Sequence, residues 1–208
     1  MFIDLCHTIS EDMTYYPGTP PPSLKKFCTI EEEGYTELEL VITTHTGTHI
    51  DAPAHIIPGG KTLDEYDISY FAGKAICLDC SSCKTITPEF LQKSQIISAG
   101  VNFLILKTGW AKKWGKDEYF HDFPVLSEEA AQFVIKLGLR AVCMDTISAD
   151  RVQDSTLPVH NTLLGAGTLI AENLNIPEDF PINNLVDLWI IPLKIANSDG
   201  STIRAFAR

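Results

Sequence analysis

The polar and apolar positions of this chain change period several times, and each change marks an element. Residues 2–9 alternate as a first strand. The stretch Tyr16-Pro17-Gly18-Thr19-Pro20-Pro21-Pro22 then breaks the pattern. Proline withholds the backbone donor that a strand ladder needs, so a loop is expected there. Residues 35–44 become β-branched towards their end and read as a strand. Further apolar runs of strand length cover 74–79, 101–108, 140–145 and 188–193. Residues 168–171 read as a buried strand with Glu172 at its end.

Two helices separate the middle strands. One opens with Thr87 as cap and Pro88 at the first helical position, and is expected to run to about Ser98. The other opens at Ser127-Glu128-Glu129 and ends near Gly138. Strands outnumber helices, and helices fall between the middle strands. This order predicts an α/β fold with a mixed sheet, plus additional β-structure from the N-terminal third.

A chain of 208 residues that is 45% hydrophobic can bury one substantial core, and no repeat or linker divides it. A single domain over 1–208 is therefore expected. Acidic residues outnumber basic ones by 27 to 16, for a net charge of −11. Such a field repels phosphates and anionic headgroups, so neither nucleic acid nor a membrane is an expected partner. Asp4 and His7 interrupt the N-terminal apolar stretch, and no run approaches the roughly 18 apolar residues of a membrane span. The expected location is the cytoplasm.

In a reducing compartment Cys6, Cys28, Cys77, Cys80, Cys83 and Cys143 read as free thiols. Cys77, Cys80 and Cys83 have a C-x2-C-x2-C spacing, but no Cys-Pro follows to complete a ferredoxin-type run. Cys77 also falls within the apolar run 74–79, so the three are read as packing thiols in a strand and turn.

The chemistry concentrates in His45-Thr46-Gly47-Thr48-His49-Ile50-Asp51-Ala52-Pro53-Ala54-His55. His45 and His49 are four apart, as in helical zinc proteases, but the flanking threonines, Gly47 and Pro53 oppose a helix, and no glutamate follows His45. An extended chain fits better. All three histidines and Asp51 sit at odd positions, so a strand would turn them to one side. His49 and Asp51 would then reach one ion together. His45 would lie roughly 13 Å from His49 if the chain were straight, so Gly47 is the expected bend. Imidazole with carboxylate suits Zn²⁺, Mn²⁺ or Fe²⁺. A second cluster pairs His160, which begins a short helical turn ended by Gly165-Ala166-Gly167, with Glu172. A carboxylate beside so apolar a run needs a partner, and a cation is one. His7 and His121 lie outside both clusters and read as structural or solvated.

The eleven-residue string resembles the H-x-G-T-H-x-D-x-P-x-H motif of the cyclase superfamily, which includes bacterial kynurenine formamidases and isatin hydrolase. The likeness continues through the Tyr16-Pro17-Gly18 loop, Leu106-Lys107-Thr108-Gly109-Trp110, Asp145-Thr146, His160 with Glu172, and Asp199 to Arg204. The resemblance implies a swivelling β/β/α fold assembled as a homodimer or larger. It implies His45, His49 and Asp51 as ligands of one metal, and Asp51, His160 and Glu172 as ligands of a second, with Asp51 shared. It also implies His55 as proton donor and acceptor, and Tyr16 as the substrate-facing aromatic where formamidases of the family carry tryptophan. One or two Zn²⁺ or Mn²⁺ ions per chain and a small-molecule substrate follow from it. The expected activity is hydrolysis of a small amide, either an aryl-formamide such as N-formylkynurenine or a cyclic amide. A non-catalytic metal- or ligand-binding protein on the same scaffold is the alternative, and His55 argues against it, since a pure binder needs no proton shuttle.

Overall fold

The computed structural model describes residues 1–94 and 100–208. Twelve strands occur among them: β1 (Ile3–Asp4), β2 (Ser23–Cys28), β3 (Glu37–Val41), β4 (His49–Asp51), β5 (Ala72–Asp79), β6 (Thr85–Ile86), β7 (Phe103–Lys107), β8 (Val125–Leu126), β9 (Ala141–Met144), β10 (Leu169–Glu172), β11 (Leu185–Pro192) and β12 (Gly200–Ala207). The α-helices are α1 (Ile30–Glu33), α2 (Pro88–Gln92), α3 (Glu128–Lys136) and α4 (Pro158–Gly165). Strands β5, β7, β9 and β10 run parallel. β11, β12 and β4 continue the sheet antiparallel, and β4 pairs with both β12 and β10. The sheet therefore closes on itself as a seven-stranded mixed barrel, with β1 added along β12. The α/β fold with a mixed sheet is as the sequence predicts.

Strand alternation sorts the core into two layers. Ala75, Cys77, Phe103, Ile105, Ala141, Cys143, Leu169 and Ala171 point into the barrel and pack with Ile50, Leu188, Ala205 and Ala207. Their neighbours Ile76, Leu78, Leu104, Leu106, Val142, Met144 and Ile170 point outward beneath α2, α3 and α4. Small inward residues suit the narrow lumen of a small barrel. Cys77 and Cys143 are two of these fillers, fully buried, and burial pushes the Cys77 thiol up to about 12. This is the packing role read from the sequence.

Both helix starts are capped as expected: the Thr87 side chain accepts from the Phe90 N–H, and that of Ser127 from Ala130. Three boundaries differ. The first strand keeps only Ile3–Asp4 of residues 2–9, because the Asp4 carboxylate takes the Cys6 N–H and the Thr48 hydroxyl takes that of His7. Residues 35–44 yield the shorter β3, hairpinned to β2 away from the barrel. α2 ends at Gln92 with a turn at Lys93 and Ser94, and the remainder of the expected helix, residues 95–99, lies outside the described residues.

Candidate active site

The site is assembled on the outer face of the barrel, where β4 meets β10. Ile50 points into the lumen, so alternation turns His49 and Asp51 outward. Antiparallel register sets Glu172 opposite His49 and Ile170 opposite Asp51. Glu172 thus reaches the site from the end of an apolar strand. α4 supplies His160 from above. Its N-terminus is held by Asp150, whose carboxylate accepts the Val159 N–H at 2.9 Å and the His160 N–H at 3.0 Å.

The extended reading of the motif holds only for β4. His45 lies on a turn, with Thr46 N–H bonded to the Thr43 carbonyl, and Gly47 makes the expected bend at a φ of +66°. His55 lies on a single 3-10 turn, Pro53–His55. The shared odd positions of these two histidines are therefore not what gathers them. The turn folds the His45 ring back to 5.2 Å from that of His49, and the 3-10 turn brings the His55 ring to 4.0 Å from that of His45.

All six polar candidates converge. His45 Nδ1 lies 2.7 Å from Asp51 Oδ1, and His49 Nε2 lies 3.4 Å from both Asp51 Oδ1 and Glu172 Oε2. His160 Nε2 lies 3.3 Å from Glu172 Oε1 and 3.7 Å from Asp51 Oδ2. Three sets of donor atoms each lie within 4.8 Å of one another and could hold an ion: His45–His55–Asp199, and the two expected sets His45–His49–Asp51 and Asp51–His160–Glu172. Asp51 belongs to both expected sets. Its Oδ2 is buried without a hydrogen-bond partner, a costly arrangement that a cation would relieve.

The field inside the cluster is strong. Burial would lower the His45 pKa, but Asp51 and Asp199 outweigh it and raise it to about 9. His160 is likewise raised to about 10 by Asp150, Glu172 and Asp51 against its burial. Burial works to raise Asp51, yet the surrounding imidazoles hold its carboxyl well below the usual range. His55 behaves oppositely. Burial lowers its pKa, and the nearby His45 and His160 oppose its protonation further, while Asp51 and Asp199 only partly offset this.

Three supporting residues were given no role from the sequence, although Asp199 opens the Asp199 to Arg204 match. Asp150 Oδ2 lies 2.7 Å from His160 Nδ1 and fixes that ring, while the Ala149 N–H donates to Glu172 at 2.7 Å. Asn173, at a φ of +57°, donates to the Gly47 carbonyl that lies 2.8 Å from His49 Nδ1. Asp199 Oδ2 lies 2.9 Å from His45 Nε2 and 3.4 Å from His55 Nδ1. None belongs to a periodic pattern. Asp150 lies ten residues from the histidine it serves, and Asp199 lies 144 from His55.

Above this floor is a cavity of about 220 Å³ lined by all six polar candidates together with Tyr16, Thr19, Ile147 and Leu157. Tyr16 packs against an aromatic cluster that includes Tyr119, Phe123, Trp110 and Trp114. The buried Asp145 carboxylate braces that wall by accepting from Thr108, Gly109 and Trp110, and its pKa is raised by burial. His7 lies outside the cavity, stacked 3.8 Å above Trp114, and His121 is exposed beside Asp117.

A floor of convergent imidazoles and carboxylates beneath an apolar cavity, carried on this barrel, defines a hydrolase. The Cyclase family matches residues 3–151, and the chain belongs to that family. It is 33% identical to the kynurenine formamidase of Bacillus cytotoxicus over 209 aligned positions, covering all of this chain and 97% of that one. Isatin hydrolase A from Labrenzia aggregata, solved with benzyl benzoate, superposes with a TM-score of 0.84 at 25% identity, over 100% and 93% of the two chains. A structure described as a potential metal-dependent hydrolase with cyclase activity matches with a TM-score of 0.81, also at 25% identity, over 100% and 96%.

Proposed function

We propose that this protein hydrolyses a small amide, an aryl-formamide in the first instance or a cyclic amide, at a centre of one or two Zn²⁺ or Mn²⁺ ions. The observation that carries this reading is the buried Asp51 carboxylate, shared by two sets of donors and left with an unpartnered oxygen beneath a small cavity. His45, His49 and Asp51 would hold one ion, and Asp51, His160 and Glu172 the other. Mixed imidazole and carboxylate ligands suit both metals. Such an ion activates water at neutral pH and polarises the substrate carbonyl.

The chain's own groups supply the rest. Burial lowers the His55 pKa from its ordinary value, which favours the free base that can accept a proton from the attacking water. Returning that proton to the nitrogen lets the amine leave. Tyr16, Ile147 and Leu157 give the cavity one apolar side that suits an aryl group, and it excludes water from the polar floor. The formamide is favoured over the lactam because the kynurenine formamidase relative is the nearer of the two in sequence, 33% against 25% for isatin hydrolase A.

The test is turnover of aryl-formamides, lactams and esters by the metal-loaded protein. Formamide hydrolysis that chelation abolishes and Zn²⁺ or Mn²⁺ restores is expected. A fully metallated protein inert towards every amide would overturn the reading.

Two accompanying expectations have their own tests. We expect a homodimer or larger assembly, because the β2–β3 hairpin leaves Phe27, Leu38, Leu40 and Val41 exposed, and a second copy would cover them. Sedimentation of the purified protein decides this. A cytoplasmic location fits six unpaired cysteines, and no helix among the described residues is long and apolar enough to cross a membrane. Cell fractionation checks it.

A further inference from the structure

Asp199 stands behind the site and has no part in the proposed ligand sets. It precedes Gly200, the first residue of β12, and Gly200 pairs with Asp51 across the sheet. The Asp199 carbonyl accepts the Ala52 N–H at 2.9 Å, which fixes residue 199 against the chain running from Asp51 to His55. Gly200 is itself required here. A Cβ at that position would lie 2.6 Å from His45 Cε1, so the ring rests directly on the backbone. A single carboxylate oxygen, Asp199 Oδ2, then lies 2.9 Å from His45 Nε2 and 3.4 Å from His55 Nδ1. Both rings line the cavity and Asp199 does not, so the carboxylate approaches them from the side away from substrate.

We infer that Asp199 is a positioning residue: its carboxylate accepts the Nδ1–H of His55, and this leaves His55 Nε2 unprotonated as the nitrogen that exchanges a proton with substrate. A histidine that shuttles protons must present one defined nitrogen, and the hydrogen bond made by the other nitrogen decides which. Free imidazole side chains favour the opposite tautomer, with the proton on Nε2, so the carboxylate reverses the default. The same oxygen contacts His45, so Asp199 also sets the spacing between the shuttle and the nearer donor set. No other described hydrogen bond reaches a ring nitrogen of His55.

The mechanistic part rests on the amide-hydrolase reading; the tautomer does not, and the experiment separates them. The probes are Asp199→Ala and Asp199→Asn. Metal content, kcat and KM on an aryl-formamide are measured beside side-chain ¹⁵N NMR of His55 at about pH 7.5, above the ordinary imidazole pKa of about 6.5. In the parent, Nδ1 should carry the proton. In Asp199→Ala the proton should move to Nε2, kcat should fall roughly 10- to 100-fold, and KM and metal content should stay near the parent's. Asp199 is half-exposed, so both variants should fold, and a thermal melt checks this. A parent in which Nε2 carries the proton overturns the inference even if formamides turn over. So does an Asp199→Ala protein with parental kcat. Loss of a metal equivalent in both variants also overturns it, by making Asp199 a ligand together with His45 and His55. If the parent hydrolyses no amide, the function fails while the tautomer shift in the NMR spectrum still decides the geometry.

Discussion

The two donor sets share Asp51 yet are built differently. His45, His49 and Asp51 come from seven consecutive residues, gathered by one turn and three residues of strand. Asp51, His160 and Glu172 come from two strands and a helix, held together by sheet register and by a buried carboxylate. The first set has one local support, the Gly47 carbonyl on His49, and one distant and half-exposed support, Asp199, whose side chain is 41% exposed, on His45. Every member of the second set is buried, and Asp150 and the Ala149 N–H orient it from within the protein. A contiguous set can form as soon as its turn forms. A dispersed set exists only in the finished fold, and its geometry is paid for by buried hydrogen bonds elsewhere.

Removing the shared member should have the largest effect. Asp51→Ala should strip metal from both positions and abolish turnover, whereas His160→Ala or Glu172→Ala should empty only the second. Elemental analysis of the three proteins checks this, and equal losses in all three would dissolve the distinction between the sets. His55 belongs to neither. His55→Ala should keep near-normal metal yet slow formamide hydrolysis by roughly 10²- to 10⁴-fold. Joint loss of metal and activity would place His55 among the ligands instead.

The supports of the two sets should differ in what their loss costs. Asp150→Ala leaves the Val159 and His160 N–H groups and a ring nitrogen of His160 without their acceptor, all of them buried. About 3 kcal/mol of stability and roughly 10- to 100-fold in metal affinity should be lost. Asp199→Ala on the more exposed side should cost under about 1 kcal/mol. Urea denaturation of both variants measures the contrast, and equal costs would break it.

Proton linkage gives a smaller and more general effect. His45, at about 9, and His160, at about 10, are both raised above the ordinary value of 6.5. Their stabilising charge is therefore fully present below about pH 6.5 in the metal-free protein, and is lost as pH rises through 9 and 10. The metal-free Tm should fall by about 3 °C or more across that window. The metallated protein should resist the change, because ligating histidines have already surrendered those protons. Calorimetry of the two forms at a series of pH values tests the sign. The smallest effect belongs to the cavity's rim. Tyr16→Ala should raise KM about fivefold through loss of roughly 1 kcal/mol of aromatic contact, with kcat little changed.

Much of the site was legible because its chemistry is compressed into a short string. Four of the six residues that meet beneath the cavity lie in that string, whereas His160 and Glu172, more than 100 residues away, were joined to it only through the family resemblance. The central strands were legible too, since 101–108 and 140–145 are buried on both faces and carry apolar residues at nearly every position. β12 was not. Its inward residues include Ala205 and Ala207, too small to stand out, and its outward ones are mixed. The first strand was overread for the opposite reason, because its alternation continues past the point where Asp4 and Thr48 divert the backbone N–H groups.

The sequence by itself determined the donor types, the parity of His49 and Asp51 on one side of a strand, the bend at Gly47 and the capped starts of two helices. These depend on neighbours within a few residues, where backbone geometry and side-chain chemistry suffice. Only the tertiary structure decided that His45 and His55 meet through turns rather than along a strand. It alone decided that the site lies outside the barrel, and that Asp150, Asn173 and Asp199 orient the rings. Those facts depend on which strands become neighbours when the sheet closes, and hydrogen bonds spanning more than 100 residues leave no period in the chain that makes them.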